Sequence, residues 1–157
     1  MRIALGCDHG GWPLKDAVLE VLREEGHEVL DFGTHGPERV DYPDFAIPVA
    51  QAVAQGRADR GILMCGSGVG MSIAANKVAG AYAAVCHDTY SAHQGVEHDG
   101  MNVLCMGGRI IGPELAKEIV RAFVRAQFSG GERYVRRAQK VRDQEARCGQ
   151  TQPPREP

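Results

Sequence analysis

No stretch of the 157-residue sequence approaches the roughly 20 consecutive apolar residues that a membrane-spanning helix needs. Neither sign of charge dominates. Eighteen Lys and Arg face twenty Asp and Glu, and a formal charge of −2 supplies no basic field for nucleic acid. The five cysteines (Cys7, Cys65, Cys86, Cys105 and Cys148) are odd in number and include no C-x-x-C pair, which argues against a disulfide framework or a structural zinc site. Neither H-x-x-x-H nor H-E-x-x-H occurs, so no metal is expected. The opening MRIALGCDHGG has one arginine and a very short apolar run. It reads as a first strand rather than a signal peptide. The expected setting is a reduced cytoplasm in which most thiols are simply buried.

Hydrophobic residues make up 43% of the chain and charged residues 24%, an ordinary balance for one domain with a real core. Apolar runs of strand length fall at residues 3–6, 29–32, 62–65, 82–86 and 103–106. Most are continuous rather than alternating, as expected of strands covered on both faces. Helical patterns lie between them. Trp12-Pro13 puts a proline at a first helical position; Leu14, Ala17, Val18, Val21 and Leu22 form one apolar stripe, and Gly26 ends it. Further helices are predicted over 43–54, 71–78 and 88–97. Gly112-Pro113 opens a fifth, with Leu115, Ile119, Val120, Phe123 and Val124 on its apolar face.

Alternating strand and helix predict an α/β fold: a three-layer α/β/α sandwich around a five-stranded parallel, Rossmann-like sheet. Ligands in such sheets sit beyond the carboxyl ends of the strands. Asp8-His9, Cys65-Gly66-Ser67, His87-Asp88 and Gly107-Gly108-Arg109 each follow a predicted strand, so the fold gathers them on one rim. Beyond Ser129-Gly130-Gly131, residues 132–147 are strongly charged and poor in large apolar side chains. This segment is expected to pack on another surface or on a second subunit. The domain is expected to span 1–147, and 148–157, with its polar, proline-rich end, to be a disordered tail.

The loop Cys65-Gly66-Ser67-Gly68-Val69-Gly70 leads from the third strand into a helix. It can be a tight structural turn, or a site where backbone amides meet an anion. Familiar phosphate loops do not fit. Met71 and Ser72 stand where a P-loop needs Lys and Ser or Thr, and Gly70 comes one residue early for the dinucleotide fingerprint. A phosphatase-type loop opening with cysteine wants an arginine where Met71 stands. What remains is a thiol beside amides. A base next to an oxyanion hole suits proton abstraction alpha to a carbonyl, because the charge developing on the enolate oxygen meets the amides.

Asp8-His9 and His98, in Glu97-His98-Asp99-Gly100, are each unremarkable alone, and gain weight as protic residues on one rim. His27, His35 and His93 lack that context and read as surface residues. Arg133 and Arg137 lie four apart on one helical face, either a solvated surface or a phosphate clamp. Arg109 either joins them or braces the fold.

Together these residues resemble the ribose-5-phosphate isomerase B family, which includes galactose-6-phosphate and allose-6-phosphate isomerases. The matching stretches are GCDHGG, VDYPDFA, CGSGVGMSIAANK and NVLCMGGRIIG, with a looser match in GGERYVRRAQKV. The resemblance implies interconversion of an aldose phosphate and a ketose phosphate through an enediolate, in the pentose phosphate pathway for ribose 5-phosphate, with no metal or organic cofactor. Cys65 matches the general base, and Ser67 a hydroxyl that shuttles protons between oxygens. The amides of Gly66, Gly68, Val69 and Gly70 match those that hold the enediolate. His98 and Asp8 match a ring-opening pair. His9, Arg133 and Arg137 match phosphate-binding positions, with Arg109 a contributor, and Tyr42 lines the pocket. The family implies a homodimer or dimer of dimers with shared sites, acting on a small phosphorylated sugar, with no nucleic acid or membrane partner. Three positions depart from the pattern. Glu132 is an extra residue before Arg133, Tyr134 replaces a histidine, and Asp99 stands where asparagine is common. Asp99 is carried as a substrate-binding position, although a carboxylate near an enediolate is repulsive unless protonated or turned away.

Ribose 5-phosphate is the expected substrate. Allose 6-phosphate, galactose 6-phosphate and erythrose 4-phosphate are the alternatives within the mechanism. A non-catalytic sugar-phosphate-binding module needs the loop and the arginines but has no use for Cys65. A cysteine hydrolase or phosphatase needs a covalent intermediate that this loop does not serve.

Overall fold

Nearly every residue of the three central strands is apolar, so the sheet must be covered on both faces. The computed structural model describes residues 1–148, and they fold that way. The elements run β1 (Arg2–Cys7), α1 (Trp12–Glu24), β2 (Glu28–Asp31), α2 (Pro43–Ala54), β3 (Arg60–Cys65), α3 (Val69–Ala75), β4 (Ala83–Val85), α4 (Thr89–Asp99), β5 (Val103–Gly107), α5 (Pro113–Arg125) and α6 (Glu132–Cys148). All strand pairs are parallel, in the order β2-β1-β3-β5-β4. Side chains alternate across the sheet. Ile3, Leu5, Ile62, Met64, Leu104 and Met106 pack against α1, α4 and α5. Ala4, Leu63, Cys65, Val103 and Cys105 pack against α2 and α3. No helix among the described residues is long and apolar enough to cross a membrane.

Several boundaries differ from the sequence expectation. Helix α3 covers 69–75 rather than 71–78. Gly68, at φ +80°, turns the chain into the helix two residues early. The helix stops at Ala75 because the Asn76 side chain is recruited to edge strand β4. Its Nδ2 donates to the Ala83 carbonyl at 2.8 Å and its Oδ1 accepts from the Ala83 amide at 2.9 Å. On α5 the buried stripe is Ala116, Ile119, Val120, Phe123 and Val124. Leu115, about 100° round the helix from Ala116, lies off the stripe and is exposed. Of the expected disordered tail over 148–157, Cys148 is instead the last residue of α6, and the rest lies outside the described residues. Lys15 is buried on α1, where its ammonium meets Asp31 Oδ2 at 2.8 Å and the Thr34 carbonyl at 2.9 Å.

The rim depends on how closely three loops approach. Asp8 donates its amide to the Met64 carbonyl, Gly108 donates to the Cys65 carbonyl at 2.8 Å, and Arg109 donates to the Gly66 carbonyl at 3.0 Å. These contacts zip together the loops that follow β1, β3 and β5. A Cβ on Gly108 would stand 2.4 Å from the Gly10 carbonyl oxygen, and one on Gly10 would stand 2.7 Å from the Gly66 nitrogen. Both obstacles are backbone, so neither can swing aside. Replacing Gly108 by alanine is therefore expected to cost about 1–3 kcal/mol of stability in urea unfolding, the usual range for overpacking. An unchanged midpoint would show that the loops have room to separate.

Candidate active site

Strands β1 and β3 are neighbours, yet the chain leaves β1 for β2 on one side and returns to β3 on the other. The crevice at such a switch point is where open parallel sheets bind ligands. Here the loop after β1 supplies Asp8 and the end of β3 supplies Cys65. A cleft of about 350 Å³ lies over them, lined by Asp8, Tyr42, Cys65, Gly66, Ser67, Gly70, Arg109 and Ile110. Larger hollows flank α6, but neither is lined by a loop of backbone amides.

Cys65 is only 6% exposed, on the floor of this cleft. The Gly68 amide donates to its sulfur at 3.0 Å. Ser67 is exposed at the mouth, and its Oγ accepts from the Val69 amide at 3.3 Å. The Tyr42 ring lies directly on the loop, since a Cβ on Gly70 would stand 3.0 Å from it. The Arg109 side chain runs along Gly66, 3.5 Å from where a Cβ there would stand. Asp8 is buried, and its Oδ1 accepts from the Gly10 amide at 2.8 Å and the Gly11 amide at 3.0 Å. It thus braces the first loop and faces the cleft at once.

Three further thiols lie in the core. Burial pushes Cys7 and Cys86 up to about 11, and Cys105 higher still. Those three are held as neutral core groups. At the rim, His87 Nε2 accepts from the Gly107 amide at 2.9 Å and anchors the end of β5. Asp88 caps α4 by accepting from the Ser91 amide at 2.6 Å, and that hydrogen bond holds its carboxyl below the usual range. His93 pairs with Glu97 at 3.1 Å, His27 sits beside the N-terminal amine, and His35 is exposed, as surface residues would be.

His9, His98, Asp99, Arg133 and Arg137 do not line this cleft. His9 holds the long loop before α2, its Nδ1 accepting from the Val40 amide at 3.4 Å. His98 and Asp99 lie at the end of α4, and Arg133 and Arg137 lie on α6, which packs against it. The His98 and Tyr134 rings stack with centroids 4.3 Å apart and planes 6° from parallel. The Arg133 guanidinium lies 4.5 Å from the Tyr134 centroid and bonds its hydroxyl. Arg137 is exposed one turn further on. Sequence reasoning named Tyr134 as a departure but gave no sign of this stack, because the contact joins residues 36 positions apart. It also missed Ile110 in the cleft wall. Among the described residues Arg109, Arg133 and Arg137 have no ion-pair partner, whereas Arg121 and Arg125 are tied to Glu24 and Glu25. The described residues hold no group of three or more His, Cys, Asp or Glu placed to bind a metal ion.

A thiol, a hydroxyl, a carboxylate and a loop of amides thus meet on the carboxyl rim of a parallel α/β sheet, a set of groups suited to acid–base chemistry. A model of the Ribose/Galactose Isomerase family matches residues 3–141, and the chain belongs to that family. It is 54% identical over 130 residues to ribose-5-phosphate isomerase B of Escherichia coli, covering 83% of this chain and 87% of that one. It is 45% identical to a D-erythrulose-4-phosphate isomerase of Pectobacterium atrosepticum, with 83% and 87% covered. Among solved structures, ribose-5-phosphate isomerase B of Clostridium thermocellum superposes with a TM-score of 0.91 at 49% identity, covering 94% and 99% of the two chains. The enzyme of Mycoplasma genitalium with bound ribulose-5-phosphate superposes with a TM-score of 0.87 at 39% identity, covering 92% and 96%.

Thiol chemistry offers a test of the site. At pH 8 a thiol with a pKa near 11 is thiolate in about one molecule per thousand. Iodoacetamide should therefore spare Cys7, Cys86 and Cys105 in the folded protein and modify exposed Cys148 and the cleft residue Cys65. Peptide mapping reads the result. Labelling of Cys105 at a rate like that of Cys65 would contradict the assignment.

Proposed function

We propose that the protein is an aldose–ketose isomerase that interconverts ribose 5-phosphate and ribulose 5-phosphate by proton transfer through an enediolate. The observation that carries this reading is the Cys65 sulfur, on the cleft floor, with the Gly68 amide donating to it at 3.0 Å. A hydrogen bond to sulfur strengthens when the sulfur is an anion. As thiolate, Cys65 takes the C2 proton of the open-chain aldose. The C1 carbonyl becomes an enediolate oxygen, and the amides of Gly66 to Gly70 meet the charge. Ser67 relays the proton between O2 and O1, and Cys65 returns its proton to C1 to give the ketose. The same groups run the reaction in reverse.

Ribose 5-phosphate is mostly a closed ring, so a second acid–base pair must open it. Asp8 is in the cleft and His98 is on α4, outside it. The phosphate positions are divided in the same way: Arg109 borders the cleft, and Arg133 and Arg137 lie on α6. The reading that joins them is a pair of chains in which the His98 cluster of one copy completes the Cys65 cleft of the other. Helix α6 supports it: none of its 17 residues is buried, and Val135 and Val141 are exposed. The working unit is then a homodimer or a dimer of dimers, with phosphate held by His9, Arg109, Arg133 and Arg137, in the cytoplasm where sugar phosphates are found.

The 45% identity to an erythrulose-4-phosphate isomerase favours one alternative, a shorter sugar in the same mechanism. The deciding assay is ketose formation from ribose 5-phosphate with EDTA and no added metal, with erythrose 4-phosphate, allose 6-phosphate and galactose 6-phosphate alongside. EDTA-insensitive turnover of the pentose is expected. Turnover of another sugar alone would move the substrate and keep the chemistry, and no turnover at all would leave a binding module. Cys65→Ala should lower turnover by about 10²–10⁴, the range for a lost acid–base group, with phosphate affinity unchanged. Arg137→Ala should weaken inhibition by inorganic phosphate by about tenfold or more and leave inhibition by ribose unaltered. Equal effects on both would make Arg137 structural.

A further inference from the structure

The last turn of α4 contains a hydrogen-bond chain that dictates where His98 carries its proton. Gln94 lies one turn before His98, on the same face. Its Nε2 is 3.1 Å from His98 Nδ1 and 3.2 Å from Asp99 Oδ2. A carboxylate oxygen only accepts, so the Gln94 atom facing Asp99 must be the amide nitrogen and not the oxygen. That nitrogen has two hydrogens and no lone pair to offer. One hydrogen goes to Asp99, and the other goes to His98 Nδ1. Nδ1 is thereby the acceptor, and the ring proton of the neutral imidazole sits on Nε2.

We propose that Gln94, anchored by Asp99, is a positioning residue that locks His98 in the Nε2–H tautomer, so that its free edge meets a substrate oxygen as a hydrogen-bond donor. The proposal rests on the reading of His98 as a ring-opening group. Tyr134 completes the device. Its ring lies flat against the imidazole at 4.3 Å, which fixes the plane of the imidazole while Gln94 fixes its proton. This also accounts for two departures from the family pattern. Asp99 is directed at Gln94, where its charge is useful, and Tyr134 offers a broad face to the imidazole.

The test is long-range ¹H–¹⁵N correlation spectroscopy of the full-length, uniformly labelled protein above pH 8, with His98 assigned by its loss in His98→Asn. The expected spectrum shows His98 Nδ1 unprotonated and Nε2 protonated. Gln94→Glu puts an acceptor where the donor stood and should invert the tautomer; Gln94→Leu removes the partner and should leave a mixture. Both side chains are at least partly solvent-facing, and circular dichroism shows whether each variant folds. Inversion should lower kcat/KM for ribose 5-phosphate by about 10²-fold, the lower end of an acid–base contribution, with little change in phosphate inhibition. Protonated Nδ1 in the parent protein, or the parental tautomer persisting in Gln94→Glu, would overturn the lock. An inverted tautomer with unchanged turnover would instead remove His98 from the reaction, so the two failures are distinguishable.

Discussion

The arrangement rests on backbone meeting backbone where the loops after β1, β3 and β5 converge. Gly10, Gly66 and Gly108 carry no side chains, and a Cβ on Gly10 or Gly108 would stand within 2.7 Å of a neighbouring backbone atom. Because the loops close to that distance, the Cys65 and Gly66 carbonyls are taken by the Gly108 and Arg109 amides. In the same loop the Gly68 amide turns to the Cys65 sulfur and the Val69 amide to the Ser67 hydroxyl. Asp8 is held by the same closure, its Oδ1 spent on the Gly10 and Gly11 amides. A wider junction would separate the thiol from the carboxylate and open the cleft floor to water.

Much of this was legible in residue order. Continuous apolar runs between helical stripes imply a parallel sheet with two covered faces, and the polar residues that follow each run then fall on one rim. The cleft residues Asp8, Cys65, Gly66, Ser67, Gly70 and Arg109 were expected because they lie in short motifs that follow predicted strands, and Tyr42 because it matches a pocket residue of the family the sequence resembles. Other features were illegible for a common reason: they are pairings between residues of different elements. Nothing local in the sequence announces that Asp31 and the Thr34 carbonyl close over Lys15. Asn76 reads as helix until it is seen bonding both backbone groups of Ala83. The stack of His98 on Tyr134 requires α4 and α6 to meet, and nothing local announces that meeting.

The division of the candidate groups is the most consequential finding. One chain provides a cleft with the thiol, the hydroxyl, the carboxylate and the amides. The imidazole and two of the unpaired arginines stand apart, on the partly uncovered surface where α4 meets α6. In the account proposed here neither half is sufficient. In that account the proton-transfer groups lie at the rim of the sheet, where the glycine junction sets their geometry. In the same account His98, Arg133 and Arg137 lie on α4 and α6, and assembly of two copies would bring them to the Asp8 and Arg109 of the partner's cleft. Substrate choice then depends on the separation of the halves, which fits one scaffold serving relatives that act on sugars of different length.

Mixing two inactive variants tests this most directly. Cys65→Ala spoils only the cleft and His98→Ala only the imidazole outside it. Each homodimer should be inactive toward ribose 5-phosphate. After joint refolding, about half of the dimers are hybrids, and each hybrid carries one site with both halves intact, so about a quarter of the parental activity should return. No recovery from hybrids shown by mass spectrometry to have formed would mean that each chain builds its own site, and would contradict the account.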